Sequence, residues 1–382
     1  MRRTGIVTIL LLVSVALAVV PAYAQFVAYS DDEGNEVRIS GQFQVQARTS
    51  SCSGYPFPDG DSACENDVPV SELFLRRARI VVLGSVKGWV DFKFQPDFSE
   101  INTVVLLDAY ARLNFSDEAR LTIGRMKRPF DGFQLTSSSQ ILTIERDVDI
   151  PGIPSLTAVS LDELSTDNRF ADRDIGLQLD GALSGFHYWI GTFSGSGGEN
   201  EEAGNGKQLV GRAQYTFDLG GLPLDIALAG SLNDTDFENP DETLGTRLTS
   251  SYELWTELGD FDEGPMVQAA LVGGKNTNQT VDGDEPDFTM DPDLANLFGW
   301  QVIGGWKFSV GNWLEAWQPI LRFTYGDPNT ALPDDGGWAM TPGVQFFFFD
   351  RTKVALNWDI IFPNSDAIRS ETSFKAQFQL YF

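Results

Sequence analysis

The C-terminal run Phe374-Lys375-Ala376-Gln377-Phe378-Gln379-Leu380-Tyr381-Phe382 constrains the fold more than any other stretch of the chain. Phe374, Ala376, Phe378, Leu380 and Phe382 fall on one face of an extended strand, and Lys375, Gln377 and Gln379 on the other. Successive side chains of a strand point to opposite faces, so this alternation describes a sheet with one wholly apolar face. Such a face must meet either lipid or a protein core. From Glu36 onward the same rhythm recurs in sixteen candidate strands of about 9–15 residues each.

The connections decide between lipid and core. Taken in order they alternate in length. The long ones are 49–70, 97–103, 128–171, 195–207, 233–244, 275–297, 327–336 and 363–369. The short ones lie at Ser85-Val86-Lys87, Ser116-Asp117-Glu118, Ser184, Gly220, Asp260-Phe261, Gly311-Asn312 and Asp350. A soluble, exported β-sandwich has no reason to keep that alternation. A transmembrane barrel does, because one rim carries tight periplasmic turns and the other long external loops. The expected fold is therefore all-β: a transmembrane antiparallel barrel of about sixteen strands. Segment 128–171, which follows the fifth strand, Leu121 to Lys127, lacks regular alternation. A connection that long is usually functional. In a hollow barrel it is expected to fold inward and narrow the lumen.

Residues 1–24 have the form of a signal peptide. Arg2 and Arg3 give a positive start, Ile6 to Val20 an apolar run, and Ala22-Tyr23-Ala24 a small-residue cleavage site, so the mature barrel is expected over 25–382. The apolar run is too short to span a bilayer, which takes roughly 20 residues, and no second run of that length follows. Cys52 and Cys64, the two cysteines of the chain, share one Ser- and Gly-rich segment. In an exported chain that placement favours a disulfide closing an external loop.

Charge sorts the faces of the strands. A Lys or Arg facing lipid at mid-depth costs about 2–4 kcal/mol, so basic residues within strands belong in the lumen. Phe43, Val45 and Ala47 then face out, and Gln42, Gln44, Gln46 and Arg48 in. Ala78, Ile80 and Val82 face out, which puts Arg77 and Arg79 inside. Arg76 points nominally outward and must sit near a rim, at a subunit contact or beside a bulge. Asp91, Lys93 and Gln95 face in, as do Asp108, Tyr110, Arg112 and Asn114. Arg212, Arg247, Lys307, Arg322 and Lys375 join them, against Glu253, Glu257 and Asp359. The fifth strand is ambiguous, because Arg125 and Lys127 share parity with Leu121 and Ile123.

Setting aside Arg2 and Arg3 leaves 25 basic against 54 acidic residues, a net of −29. That excludes a nucleic-acid partner, which needs a basic face. The acids concentrate in the long connections: Glu199, Glu201 and Glu202; Asp234, Asp236, Glu238, Asp241 and Glu242; Asp282, Asp284, Glu285, Asp287, Asp291 and Asp293. The lumen itself comes out mixed with a basic excess. Trp189, Trp300, Trp306, Trp313, Trp317, Trp338 and the run Phe346 to Phe349 lie near strand ends, as interfacial girdles require.

Catalytic chemistry has few candidates. His187 is the single histidine and stands beside Tyr188 and Trp189 on a strand; its expected role is structural. Gly195-Ser196-Gly197 lacks the strand-turn-helix context of a phosphate-binding loop and reads as a loop tip. Asp282-Gly283-Asp284-Glu285-Pro286-Asp287 lacks the twelve-residue calcium-loop pattern. No enzyme, cofactor or metal site is expected.

Phe74-Leu75-Arg76-Arg77-Ala78-Arg79-Ile80, Gly124-Arg125-Met126-Lys127-Arg128-Pro129-Phe130, Leu135-Thr136-Ser137-Ser138 and Glu145-Arg146 resemble the phosphate-selective porin O and P family. So do Asp174-Ile175-Gly176-Leu177-Gln178-Leu179 and Gly191-Thr192-Phe193-Ser194-Gly195-Ser196-Gly197. The resemblance covers roughly residues 72–215, and the remainder shares only the strand rhythm. It implies sixteen-stranded, homotrimeric pores in the outer membrane of Gram-negative bacteria, with the loop after strand five, here 128–171, entering the lumen. The terminal Phe382 on an aromatic strand resembles the signal by which the barrel-assembly machinery recognises its clients.

Phosphate-specific members are described as having a ladder of wall arginines and a lysine cluster near the constriction. Here 128–171 carries Arg128, Arg146 and Arg169 as its cations, beside Asp131, Glu145, Asp147, Asp149, Asp162, Glu163 and Asp167. The expected ion pathway comprises Arg77, Arg79, Arg112, Arg146, Arg169, Arg173, Arg212, Arg322 and Lys375. The leading expectation is a passive, water-filled outer-membrane pore for small solutes that prefers anions such as phosphate. The alternative is a closed surface barrel whose acidic loops serve binding, adhesion or envelope structure. For the wall arginines, ion pairing that holds the interior stands beside a transport role.

Overall fold

The computed structural model describes residues 26–51, 70–100, 102–148, 160–195, 207–238, 244–283, 293–364 and 371–382. Residues 1–24, Cys52, Cys64 and most of the acids of the long connections, Glu199 and Glu285 among them, lie outside the described residues.

Among the described residues seventeen antiparallel strands form one sheet. In chain order they are β1 (Phe26–Ser30), β2 (Glu36–Ser51), β3 (Val70–Val86), β4 (Val90–Asp97), β5 (Val105–Ser116) and β6 (Ala119–Lys127). There follow β7 (Arg173–Leu183), β8 (Phe186–Phe193), β9 (Gln208–Asp218), β10 (Pro223–Glu238), β11 (Leu244–Gly259) and β12 (Gly264–Thr280). The chain closes with β13 (Leu294–Gly311), β14 (Leu314–Asp327), β15 (Gly337–Phe349), β16 (Thr352–Pro363) and β17 (Glu371–Tyr381). Each strand pairs with the next, and β17 returns to β2 with Ala376 opposite Ala47 and Phe378 opposite Val45. Sixteen strands, β2 to β17, thus make a closed barrel, and closure leaves no sheet edge to satisfy in lipid.

The sequence reading has no counterpart of β1. This short strand runs against the first residues of β2, with Phe26 opposite Ile39. The intervening turn is set by Asp31, whose side chain accepts from the backbone N–H groups of Glu33 and Asn35 at 2.9 and 3.0 Å. β1 and β17 share one edge of β2: Gly41 exchanges two backbone hydrogen bonds with Phe382, at 2.6 and 3.1 Å, where β17 stops.

Alternation sets the two faces. Ile80, Phe94, Ile123, Ile190 and Leu228 are exposed on the outside, whereas Gln42, Gln44 and Gln46 are buried within. Parity fails at one point of β3. Gln44 pairs with Arg77, but the next residue, Val45, pairs with Leu75, so Arg76 is an extra residue in a β-bulge. Of the three locations open to Arg76 from sequence, the bulge is the one observed. A bulge inserts a residue and re-aims its side chain, and both Arg76 and Arg77 reach the loop carboxylate of Glu145. In β6, Thr122 and Met126 are buried and Ile123 exposed. Arg125 therefore shares the outer face and donates to the Leu106 carbonyl at 2.9 Å.

Between β6 and β7 the described residues contain two short helices where sequence periodicity shows none: α1 (Gly132–Leu135) and α2 (Leu161–Asp167). Asp131 caps α1 by accepting from the Phe133 N–H at 3.0 Å. Ser160 caps α2 by accepting from the Glu163 N–H at 3.1 Å. Phe130, Phe133, Leu142, Leu161, Leu164 and Phe170 of this connection are buried. Phe130 meets Phe170 edge-on at 5.8 Å, and Phe133 meets Trp255 of β11 at 4.6 Å.

Candidate functional site

The β6–β7 connection is fixed to lumen-facing side chains of distant strands. Glu145 receives Arg76 at 2.5 and 3.0 Å and Arg77 at 3.4 Å. From β14 the Arg322 guanidinium donates to three successive carbonyls, Glu145, Arg146 and Asp147, at 3.1, 2.7 and 3.1 Å. Arg322 is itself paired with Asp359 at 3.0 Å, and Lys375 reaches the other oxygen of that carboxylate at 2.8 Å. Asn357 accepts from the Ile144 N–H at 3.0 Å, and Lys353 donates to the Ile141 carbonyl at 3.2 Å. Glu253 accepts from the Asp131 and Gly132 N–H groups at 3.0 and 2.7 Å and from Arg212 at 2.7 Å. Buried backbone polar groups without water need such partners, and here the barrel wall supplies them.

The charges of the connection respond to that enclosure. Burial alone would raise the Glu145 carboxyl, but Arg77 and Arg76 hold it down at about 2. Asp131 shifts the other way: burial, then the neighbouring Glu253 and Asp162 charges, push it well above the usual carboxylate range. Burial also raises Asp162, to about 7, with Arg146 opposing and Asp147 assisting.

A cavity of about 390 Å³ separates the connection from the wall formed by β3 to β7. Among the described residues six cations border it, Arg79, Lys93, Arg112, Lys127, Arg146 and Arg173, with Asp108 as the one carboxylate. Asp108 accepts from Lys93 at 2.6 Å and from Arg173 at 2.7 Å, and Arg79 pairs with Asp97 at 2.6 Å just outside. The other cations are positioned by neutral oxygens. Arg146 donates to the Phe133 and Thr136 carbonyls at 2.8 and 2.6 Å, and Arg112 to the Thr122 hydroxyl at 3.0 Å. Lys127 donates to the carbonyls of Gln134 and Thr136. A carbonyl orients a cation without cancelling its charge, so the cavity keeps a net positive field.

Lys127, Leu135 and Gln178 also border a second cavity of about 370 Å³, on the side of β8 to β11. Its wall carries Trp189, His187, Gln214, Arg212, Asp225, Trp255 and Glu257. His187 and Trp189 stack at 6.0 Å. Trp189 is thus lumenal and leaves the interfacial girdle assigned to it from its place near a strand end.

The family model described as phosphate-selective porin O and P matches residues 43–255, more than half of the 382-residue chain. The chain belongs to this family. Among solved structures the porin is similar to an anion-selective porin from Comamonas acidovorans: TM-score 0.56, 14% identity, covering 91% of this chain and 100% of that one. OmpF of Salmonella typhi, in complex with daunomycin, aligns with a TM-score of 0.59 and 12% identity over 94% of this chain and 100% of that one. OmpT of Vibrio cholerae in a trimer form gives 0.54 and 11% over 91% and 99%. No curated protein matches. The family and fold point to an outer-membrane channel rather than an enzyme.

The nine residues expected on the ion pathway of this porin separate into groups. Arg79, Arg112, Arg146 and Arg173 converge on the basic cavity, and Arg212 borders the aromatic one. Arg77, Arg322 and Lys375 are buried beneath the connection, in contact with Glu145 or Asp359. Arg169 is exposed, at a φ of 58°, and its carbonyl accepts from Gln208 at 3.0 Å. Lys93 and Lys127 border the basic cavity without having been assigned to the pathway. The parity of Lys93 already places it inward, whereas Lys127 closes β6 on the outward parity and reaches the lumen where the strand ends.

Proposed function

We propose that this porin is a passive diffusion channel that favours small anions, phosphate among them, with segment 128–171 as its constriction. The observation that carries the reading is the cavity bordered by six cations and one carboxylate, in which Arg112, Lys127 and Arg146 are held by neutral oxygens. An anion entering a narrow lumen loses water, and fixed cations there compensate part of that loss. No bond is broken and no energy source is used, so binding must be weak enough for release. The family description and the anion-selective neighbour support the same preference.

The trimeric neighbour supports a homotrimer as the working assembly in outer-membrane lipid. Export through a 1–24 signal peptide, a Cys52–Cys64 bridge in an external loop and delivery by the barrel-assembly machinery through the β17 terminus complete the proposal.

The test is the reversal potential of the purified protein in a planar bilayer under a potassium chloride gradient, followed by added phosphate. A chloride-favouring potential with phosphate block supports the proposal. A cation-favouring potential overturns the anion preference, and the absence of channels favours the closed, binding barrel.

A further inference from the structure

The aromatic cavity is not explained by passage of inorganic anions. A barrel lumen is ordinarily polar, yet this one presents the stacked rings of His187 and Trp189 to the passage. Two acids stand beside them. Asp225 and Glu257 lie directly opposite each other on β10 and β11, an arrangement of like charges that is unfavourable in a sheet. Both repel a bare anion. Each already accepts one hydrogen bond, Asp225 from Thr216 at 2.5 Å and Glu257 from Gln268 at 2.6 Å. A carboxylate has about four acceptor sites, so both retain capacity for further donors. Gln178 and Gln214 add side-chain amides that have no hydrogen-bond partner among the described residues.

Rings for an apolar face and carboxylates and amides for hydroxyl groups together describe a carbohydrate site. An aromatic acid would use the rings but supply no hydroxyl donors for Asp225 and Glu257. The basic cavity adjoins this one, with Lys127, Leu135 and Gln178 bordering both. We infer that the two cavities together accommodate a phosphorylated sugar, with its phosphate among the basic cavity's cations and its ring against Trp189. This inference rests on the anion reading above and names a solute class for it.

The experiment is block of the ion current through the full-length protein in planar bilayers by three probes: glucose 6-phosphate, inorganic phosphate and glucose. Glucose 6-phosphate is expected to block at a concentration about fivefold lower than phosphate, and glucose to block weakly. Trp189→Ala is expected to lower the ratio of the two anions' blocking strengths about fivefold, and Trp189→Phe to preserve most of it. Gln214→Leu, which removes a hydroxyl partner without touching the rings, is expected to lower the same ratio. Equal block by the two anions, or a ratio unchanged in both Trp189→Ala and Gln214→Leu, overturns the sugar assignment while phosphate block leaves the anion reading standing. A cation-favouring reversal potential without phosphate block overturns the anion reading itself, and the sugar phosphate with it.

Discussion

The carboxylate of Glu145 engages Arg76 through both oxygens, at 2.5 and 3.0 Å, across 69 residues of chain. Arg76 reaches it because of the β3 bulge, and Arg77 closes on the same carboxylate at 3.4 Å. Glu145→Gln keeps the shape and removes the charge that both guanidinium groups share. Charge-assisted hydrogen bonds contribute about 1.5–3 kcal/mol, so the β6–β7 connection should loosen by about that much while the sheet is unaffected. Single-channel conductance is expected to rise and become noisier, and 128–148 to become more sensitive to protease. Wild-type conductance and wild-type cleavage together would refute this anchoring role.

Arg112 is the cleanest probe of the basic cavity, since its guanidinium bonds to the Thr122 hydroxyl and lies over the Tyr110 ring. One charge at about 5 Å in water contributes about 0.8 kcal/mol. Arg112→Ala removes about that much attraction from chloride and as much repulsion from potassium, so the chloride-to-potassium permeability ratio should fall about fifteenfold, read from the reversal potential. Arg322→Ala, which removes donors from three loop carbonyls, should act chiefly on conductance through the position of the connection. Should Arg112→Ala leave the reversal potential in place, the cavity would not set selectivity.

Much of this molecule is legible in its strands, because lipid on one face and water on the other force a period of two that local sequence must display. The exceptions have physical causes. β1 is too short to show a period. The Arg76 bulge is a register event between two strands, and neither strand alone records it. On β8 both parities are aromatic, Phe186 and Tyr188 on one and His187 and Trp189 on the other, so alternation could not say which rings face the lumen. The capping pair Ser160 and Glu163 marks the start of α2 in sequence, but seven residues give too little periodicity to stand out. At the candidate site, parity places Arg79, Lys93 and Arg112 on the lumen face. It is silent on which cations carboxylates neutralise, because Glu145 and Glu253 meet their partners only through tertiary folding.

Asp162 makes the packing of α1 against α2 pH-dependent. Its carboxylate accepts from the Gln134 amide at 2.5 Å, and burial raises its pKa from 3.8 to about 7. A carboxyl raised on folding stabilises the folded arrangement fully below its unfolded pKa, and that contribution is lost as pH rises through about 7. Asp131 acts in the same direction, through burial and then Glu253. Glu145 acts in the opposite one: held at about 2, it contributes above its unfolded 4.5 and weakens only as pH falls toward 2. Hydrogen-exchange protection of the α1 and α2 amides, corrected for intrinsic rates, should therefore fall between about pH 4 and pH 7. Asp162→Asn should flatten most of that dependence. Protection that is constant, or rises, over this interval would show that Asp162 stays charged in the folded porin.

Gly132 makes a sharper demand on the connection. It opens α1, donates its N–H to Glu253 at 2.7 Å, and lies so close to Trp255 that a Cβ would overlap the indole ring. Glycine is required there for close approach rather than for backbone freedom. The backbone hydrogen bond and the Phe133–Trp255 contact leave α1 little room to retreat. Overpacking of this kind costs about 1–3 kcal/mol. Gly132→Ala should displace either α1 or the Trp255 ring, and both border the aromatic cavity. Displacement of α1 would raise conductance as Glu145→Gln does, whereas rotation of Trp255 would narrow the cavity and lower it. Combining Gly132→Ala with Trp255→Phe, which takes away the overlapping ring system but keeps an aromatic side chain, should restore conductance toward the wild-type value. A Gly132→Ala porin with unchanged conductance and unchanged thermal stability would mean that the close approach at this position does not constrain the passage.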